Sequence, residues 1–245
     1  MESRWTLSQI SKMGPLLALA GTASAVALLA REAEQTHPSD AFHAGQDGAM
    51  MRRCIELSRT AIGEGEYPFG AVIAFNGQIM AEATNRQVRE RDVSRHAEVI
   101  ALSHAQKELT CEELSKATIY INVEPCAMCS YCIREACVGR VIFALSSPVM
   151  GGFSKWNILR DQGFSRRVPL FGPPPEVVRG LLEQEAQQVW LDWNPVAAEL
   201  AKLRGILTAQ PVQTQKVKRL PAEPESLLHH MIVSLGGLRR RSPHG

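Results

Sequence analysis

Between residues 49 and 62 the apolar positions Met50, Met51, Cys54, Ile55, Leu57, Ala61 and Ile62 recur at steps of three and four, which predicts a helix with one buried face. Gly63 and Gly65 stop it. Phe69 to Phe75 is an unbroken apolar run, short enough to be a buried strand. Asn76-Gly77 supplies the two positive φ angles of a tight hairpin, so 78–83 is expected to return beside that strand. After a charged loop, 86–92, the positions Val99, Ile100, Leu102, Ala105 and Leu109 mark a second helix. Ile119, Ile121 and Val123 then alternate with Tyr120 and Asn122, which is strand periodicity. A third helix is expected from Pro125 through Tyr131, Ile133 and Ala136, with Gly139 as the residue that ends it, and 140–145 reads as another buried strand. Beyond Pro173-Pro174-Pro175 a helix is expected over Val177, Val178, Leu181, Leu182, Val189 and Trp190, as far as Trp193. This order predicts an α/β fold: a mixed sheet with helices on its faces and the later strands parallel.

The two ends of the chain follow other patterns. Arg4 and Lys12 precede an uncharged run from Met13 to Ala30 that carries the small-x-small triplet Ala23-Ser24-Ala25. A basic start, an apolar middle and small residues are the parts of a secretory signal. The run is also just long enough for a membrane anchor, and an Ala/Leu-rich helix packed on the domain is the remaining reading. Export or tethering is expected if 13–30 acts in either of the first two ways, and a cytoplasmic protein otherwise; any membrane contact would be through 13–30. Thr36 to Gly48 reads as a linker. The expected division is 1–45 as leader and linker, 46–200 as the domain, and 201–245 as a basic, loosely ordered tail with Lys216, Lys218, Arg219 and Arg239-Arg240-Arg241. Such a tail is either solvated or able to hold RNA phosphates.

Composition changes this picture little. With 45% hydrophobic residues in 245, the chain can build one sizeable core. A formal charge of +2 does not indicate a general polyanion-binding surface. Six cysteines without regular spacing do not read as a disulfide framework.

The chemistry lies in two short motifs, His96-Ala97-Glu98 and Pro125-Cys126-Ala127-Met128-Cys129. One imidazole and two thiolates suit Zn²⁺ and leave a fourth tetrahedral position open. His96 and Glu98, two apart, do not share a helix face, so both can approach one metal only if His96 opens its helix. Pro125 is expected as the first residue of the other helix, placing Cys126 and Cys129 one turn apart. Two helix N-termini aimed at one spot favour thiolates. Zinc with two thiolates and a neutral imidazole is formally neutral and acidifies water weakly, so a separate proton acceptor is needed, and Glu98 is placed to be one. The pair of motifs matches the H-x-E…P-C-x-x-C signature of zinc deaminases. If Cys132 were a fourth ligand the zinc would be structural; otherwise Cys132 and Cys137 read as small buried hydrophobes.

Four segments, Glu66–Ile73, Asn85-Arg86, Asp92–Glu98 and Glu124–Cys129, are similar in order and spacing to motifs of the cytidine deaminase superfamily. The likeness covers 49 to about 160 and lies in the branch of guanine deaminases, fungal-type cytosine deaminases and tRNA adenosine deaminases. It implies a three-layer α/β/α cytidine deaminase-like fold with a mixed central sheet, one Zn²⁺ per chain, hydrolytic loss of ammonia from a base, and a homodimer. It also implies that Asn85 holds the base or sugar, unless it is a strand-end turn residue, and that the backbone at Ala97 and Cys126 meets the carbonyl side of the ring. Phe69 and Trp156 are further candidates for substrate contact, Trp156 by stacking. Arg95 departs from the small residue often found there, and could narrow the pocket or meet an anionic group. The preferred substrate is a small guanine- or cytosine-type base or nucleoside. The alternatives are an adenosine flipped out of a tRNA loop, and a zinc-stabilised binding module without catalysis.

Overall fold

The structure, a computed structural model, describes residues 38–167 and 171–215. Contacts divide the chain between Gly45 and Gln46, and the sheet belongs to the second unit. The signal-like run 13–30 lies outside the described residues. Among the described residues no helix is long and apolar enough to cross a membrane.

The leading helix, α1, is Pro38–Gly63, so helix replaces most of the linker expected over 36–48. Proline is accommodated at a first helical position because its missing N–H would have had no partner. Within the second unit this early part is anchored by Asp47, which accepts bonds from Tyr120 Oη (2.7 Å) and from Arg140 (2.8 Å). The hairpin follows as β1, Gly70–Phe75, and β2, Gln78–Thr84. Asn76 and Gly77 turn it at φ 48° and 78°, as the sequence requires. Then come α2 (Gln87–Glu90), α3 (Ala97–Glu108), α4 (Cys111–Leu114), β3 (Thr118–Val123), α5 (Ala127–Glu135), β4 (Arg140–Leu145) and α6 (Gln162–Arg167). The described chain closes with β5 (Glu176–Arg179), α7 (Glu183–Trp193), α8 (Pro195–Leu203) and β6 (Gln213–Gln215).

The strands form one sheet in the order β2-β1-β3-β4-β5-β6. β3, β4 and β5 are parallel and the other pairings antiparallel, which is the mixed sheet expected. Alternate residues feed two separate cores. Ile73, Ile119, Ile121, Val141 and Phe143 pack under α3 and α5, whereas Val72, Tyr120, Ile142 and Ala144 pack under α1, α7 and α8. That alternation makes the three α/β/α layers.

Three further expectations fail. Val177 and Val178 lie in β5, not in a helix; two β-branched residues between Pro175 and Gly180 complete a buried parallel strand beside β4. Residues 201–215 are not a loose tail: α8 runs to Leu203, Leu207 is buried, and β6 pairs with β5. Residues 216–245 lie outside the described residues.

The third concerns Cys137, which is no buried hydrophobe but forms a disulfide with Cys111, Cα atoms 5.7 Å apart. Cys137 follows α5 and adopts the left-handed conformation (φ 64°) more usual for glycine at a helix end. Cys111 follows α3, so the bond joins the ends of the two site helices that point away from their N-termini. Cys111→Ser is expected to lower stability by about 2–4 kcal/mol. Urea unfolding with and without reductant checks this: reductant should reproduce the loss in the wild type and add nothing in the variant.

Candidate active site

His96 and Cys126 occupy equivalent places. Each is the N-cap of its helix, with extended backbone (φ −71°, ψ 147° and φ −65°, ψ 176°), and neither makes a side-chain capping bond. N-caps are normally Ser, Thr, Asp or Asn, whose oxygens satisfy the first N–H groups. Here the two side chains instead extend beyond the helix ends. Pro125 therefore precedes the N-cap and is not the first helical residue, and Cys129 sits one turn into α5.

The three donor atoms lie within 4.8 Å of one another. Cys126 Sγ is 3.6 Å from Cys129 Sγ, and His96 Nδ1 is 3.8 Å from the first sulfur and 3.4 Å from the second. Tetrahedral zinc bonded at its usual lengths would hold two sulfurs about 3.8 Å apart and a sulfur and a nitrogen about 3.6 Å apart. The cluster fits that ion. The hydrogen bond between the two sulfurs lowers Cys126 below the usual thiol range and raises Cys129 above it. Hydrogen bonding to Cys126 raises the His96 imidazole. A dication among three such donors would replace both effects. Cys132 is half-buried against the core and is not among the clustered donors.

Glu98 lies in the first turn of α3 and is only 6% exposed. Burial raises its carboxyl above the usual range, and it interacts directly with the Cys129 thiol. The carboxyl is thus on the same side of its helix as the donors. Ala97 is fully buried beside it, and its N–H belongs to the first turn, where no intrahelical acceptor exists.

Asn85 is 1% exposed and donates from Nδ2 to Glu66 Oε2 (3.0 Å). The Glu66 carboxylate also accepts from the backbone of Val88 (3.0 Å) and Arg89 (2.6 Å), so it holds the loop after β2 and orients Asn85. Phe69 is not brought to the cluster. Its ring packs edge-on against Trp190 (5.3 Å), in the core on the other face of the sheet. Trp156 is 57% exposed, in a turn where its N–H bonds Gly151 O. Arg95 does not stand free at the mouth: its Nε is 2.5 Å from Glu90.

Glu124 directly precedes Pro125 and the cysteine turn. It is buried, and its two oxygens accept from Ser147 N (2.7 Å), Phe153 N (3.1 Å), Ser154 N (2.6 Å) and Ser154 Oγ (2.7 Å). Gly151 bridges to Cys126, and any Cβ there would overlap the Glu124 carboxylate. Segment 147–154 is therefore bound to the turn that presents the first cysteine. A carboxylate between a buried strand and a proline, with no nearby countercharge, was the available signal. Glu124→Ala would leave the buried N–H groups of Ser147 and Phe153 and the part-buried N–H of Ser154 without their acceptor, and about 3 kcal/mol or more of stability should be lost. Thermal or urea unfolding reads this directly, and a loss under about 1 kcal/mol would mean that water replaces the carboxylate.

A family model for the cytidine and deoxycytidylate deaminase zinc-binding region matches residues 44–145. A tRNA-specific adenosine deaminase of Bacillus subtilis is 36% identical over 143 residues, 57% of this chain and 83% of that protein. A probable cytosine deaminase of Schizosaccharomyces pombe is 41% identical over 103 residues, 42% of this chain and 62% of that protein. A solved structure from work on tRNA:A34 deaminases superposes with a TM-score of 0.50 at 29% identity, covering 58% of this chain and 98% of that one. The family match spans both halves of the His/Cys/Cys cluster, and the B. subtilis relative is covered over most of its length. This chain belongs to the cytidine deaminase superfamily and is a zinc-dependent hydrolytic deaminase.

Proposed function

We propose that His96, Cys126 and Cys129 hold the zinc and that Glu98 is the proton shuttle for removing an exocyclic amine from a nucleobase or nucleoside. One observation carries this reading: three donors within 4.8 Å of one another, with a buried carboxyl against the second sulfur. Zinc bound there supplies Lewis acidity towards water. Glu98 accepts one proton of the attacking water and delivers it to the ring nitrogen, then takes the second proton from the same oxygen and passes it to the departing ammonia as the C–N bond breaks. Asn85, oriented by Glu66, offers its amide to the base or sugar. The Ala97 N–H meets the ring carbonyl. Burial, which raises the Glu98 carboxyl, suits a group that must give protons back as well as take them.

A small base or nucleoside is the first substrate reading, supported by the enclosure of Glu98 and Asn85 and by the cytosine deaminase relative. A second reading, an adenosine in a tRNA loop, is favoured by the B. subtilis relative. Ammonia release from guanine, cytosine, cytidine, adenosine and tRNA decides between them. Activity with tRNA alone would remove the first reading, and activity with none would remove both. A homodimer is part of the proposal, and sedimentation equilibrium tests it.

A further inference from the structure

Arg134, in the last turn of α5, is fully buried and, among the described residues, forms no ion pair. Burial pulls its guanidinium down to about 10, so it remains charged at neutral pH. Nε donates to Gly172 O (2.9 Å), one terminal nitrogen to Ile158 O, and the other to Asp161 O (3.1 Å) and Ser165 Oγ (2.6 Å). Ser165 Oγ in turn donates to Gly172 O (3.0 Å), and the guanidinium lies over the Phe171 ring at 4.9 Å. Every partner falls between residues 158 and 172. The irregular stretches on either side of α6 have carbonyls that no strand or helix satisfies, and one planar fork with five N–H groups can serve several of them.

The other half of the same stretch is held from the other end of the same unit. Glu124, just before the cysteine turn, binds 147–154; Arg134, eight residues beyond Cys126, binds 158–172. Between the two grips lies the exposed turn with Lys155 and Trp156. Residues 147–154, 158–165 and Gly172 are thereby fixed beside the helix that carries Cys129, and the first of these stretches reaches Cys126 itself through Gly151.

We infer that Arg134 is a positioning residue for deamination: by gripping Ile158, Asp161, Ser165 and Gly172 it sets the wall of the site beside Cys126, including the turn that carries Trp156. An apolar side chain of similar length would fill the same volume but leave the wall free to move. The kinetic consequence rests on the proposed function, and the mechanical one does not.

The test uses the zinc-loaded full chain and the variants Arg134→Met, Arg134→Lys and Ser165→Ala. Trypsin cleavage after Lys155 reports opening of the wall, and steady-state kinetics with the best substrate of the panel report its effect. For Arg134→Met, cleavage is expected to quicken and KM to rise, each about tenfold or more, with kcat changed less than KM and one zinc retained. Arg134→Lys, which keeps the charge and loses the fork, should fall between Met and wild type. Ser165→Ala should change each by no more than about threefold. Wild-type cleavage and KM in Arg134→Met would overturn the inference, as would joint loss of zinc and kcat at unchanged KM. If Arg134→Met does not fold, wild-type cleavage and KM in Arg134→Lys overturn it instead. A wild type that releases no ammonia from any substrate refutes the deaminase reading, and the cleavage rates still decide the grip.

Discussion

Glu98→Gln should cut ammonia release by about 10³-fold while keeping one zinc per chain. The substitution preserves shape and hydrogen bonding and removes only the ability to take up and return a proton. A site with two thiolates gives a formally neutral zinc centre, so the metal alone cannot take over that task. The same variant should be no less stable than the wild type, because a buried carboxyl whose charged form is disfavoured is exchanged for a neutral amide. Opposite signs for activity and stability separate loss of chemistry from loss of fold. Metal analysis, calorimetric unfolding and a coupled ammonia assay supply the three readouts. More than about a tenth of wild-type turnover in Glu98→Gln would remove Glu98 from the role of shuttle.

Cys129→Ala is expected to lose both metal and activity. Cys129 is fully buried one turn into α5, so its sulfur is fixed by the helix, and no other described sulfur lies in the cluster to replace it. With two donors left, zinc should dissociate during gel filtration, and turnover should fall below about 10⁻³ of the wild type. Stability falls as well, because bound metal stabilises by mass action: about 4 kcal/mol when free zinc is a thousand times its Kd. A chelator should reproduce this loss in the wild type and have no further effect on the variant. A Cys129→Ala protein with full zinc and normal turnover would move the ligand role elsewhere, with Cys132 the next sulfur along the helix.

The metal cluster was legible because its rule is local. His96 had to open a helix for Glu98 to share its target, and three-residue spacing had to put the cysteines one turn apart; both constraints are met within five residues. Glu66, Glu124 and Arg134 escaped notice because their partners lie far along the chain, 147–154 for Glu124 and 158–172 for Arg134, and only tertiary structure brings them close. The disulfide was missed for the same reason. Cysteines 26 apart carry no signal until α3 and α5 lie side by side. The error at 177–178 had another origin. Val177, Val178, Leu181 and Leu182 satisfy helical spacing, and four residues are too few for periodicity to tell a buried strand from a helix. Phe69 was assigned by its place in a motif, although the alternation of β1 sends neighbouring side chains to opposite faces.

Cysteine chemistry thus acts at both ends of one helix pair: a covalent cross-link beyond Cys111 and Cys137, and sulfurs 3.6 Å apart at Cys126 and Cys129. The spacing that suits a cation also suits oxidation of the second pair to cystine once the cation has left. Purification that strips metal in air would then yield an enzyme that added zinc cannot revive until a reductant is supplied, and a reductant strong enough to do so would also threaten the cross-link at the far end. The order of additions, zinc before oxygen, should decide how much active enzyme a preparation contains.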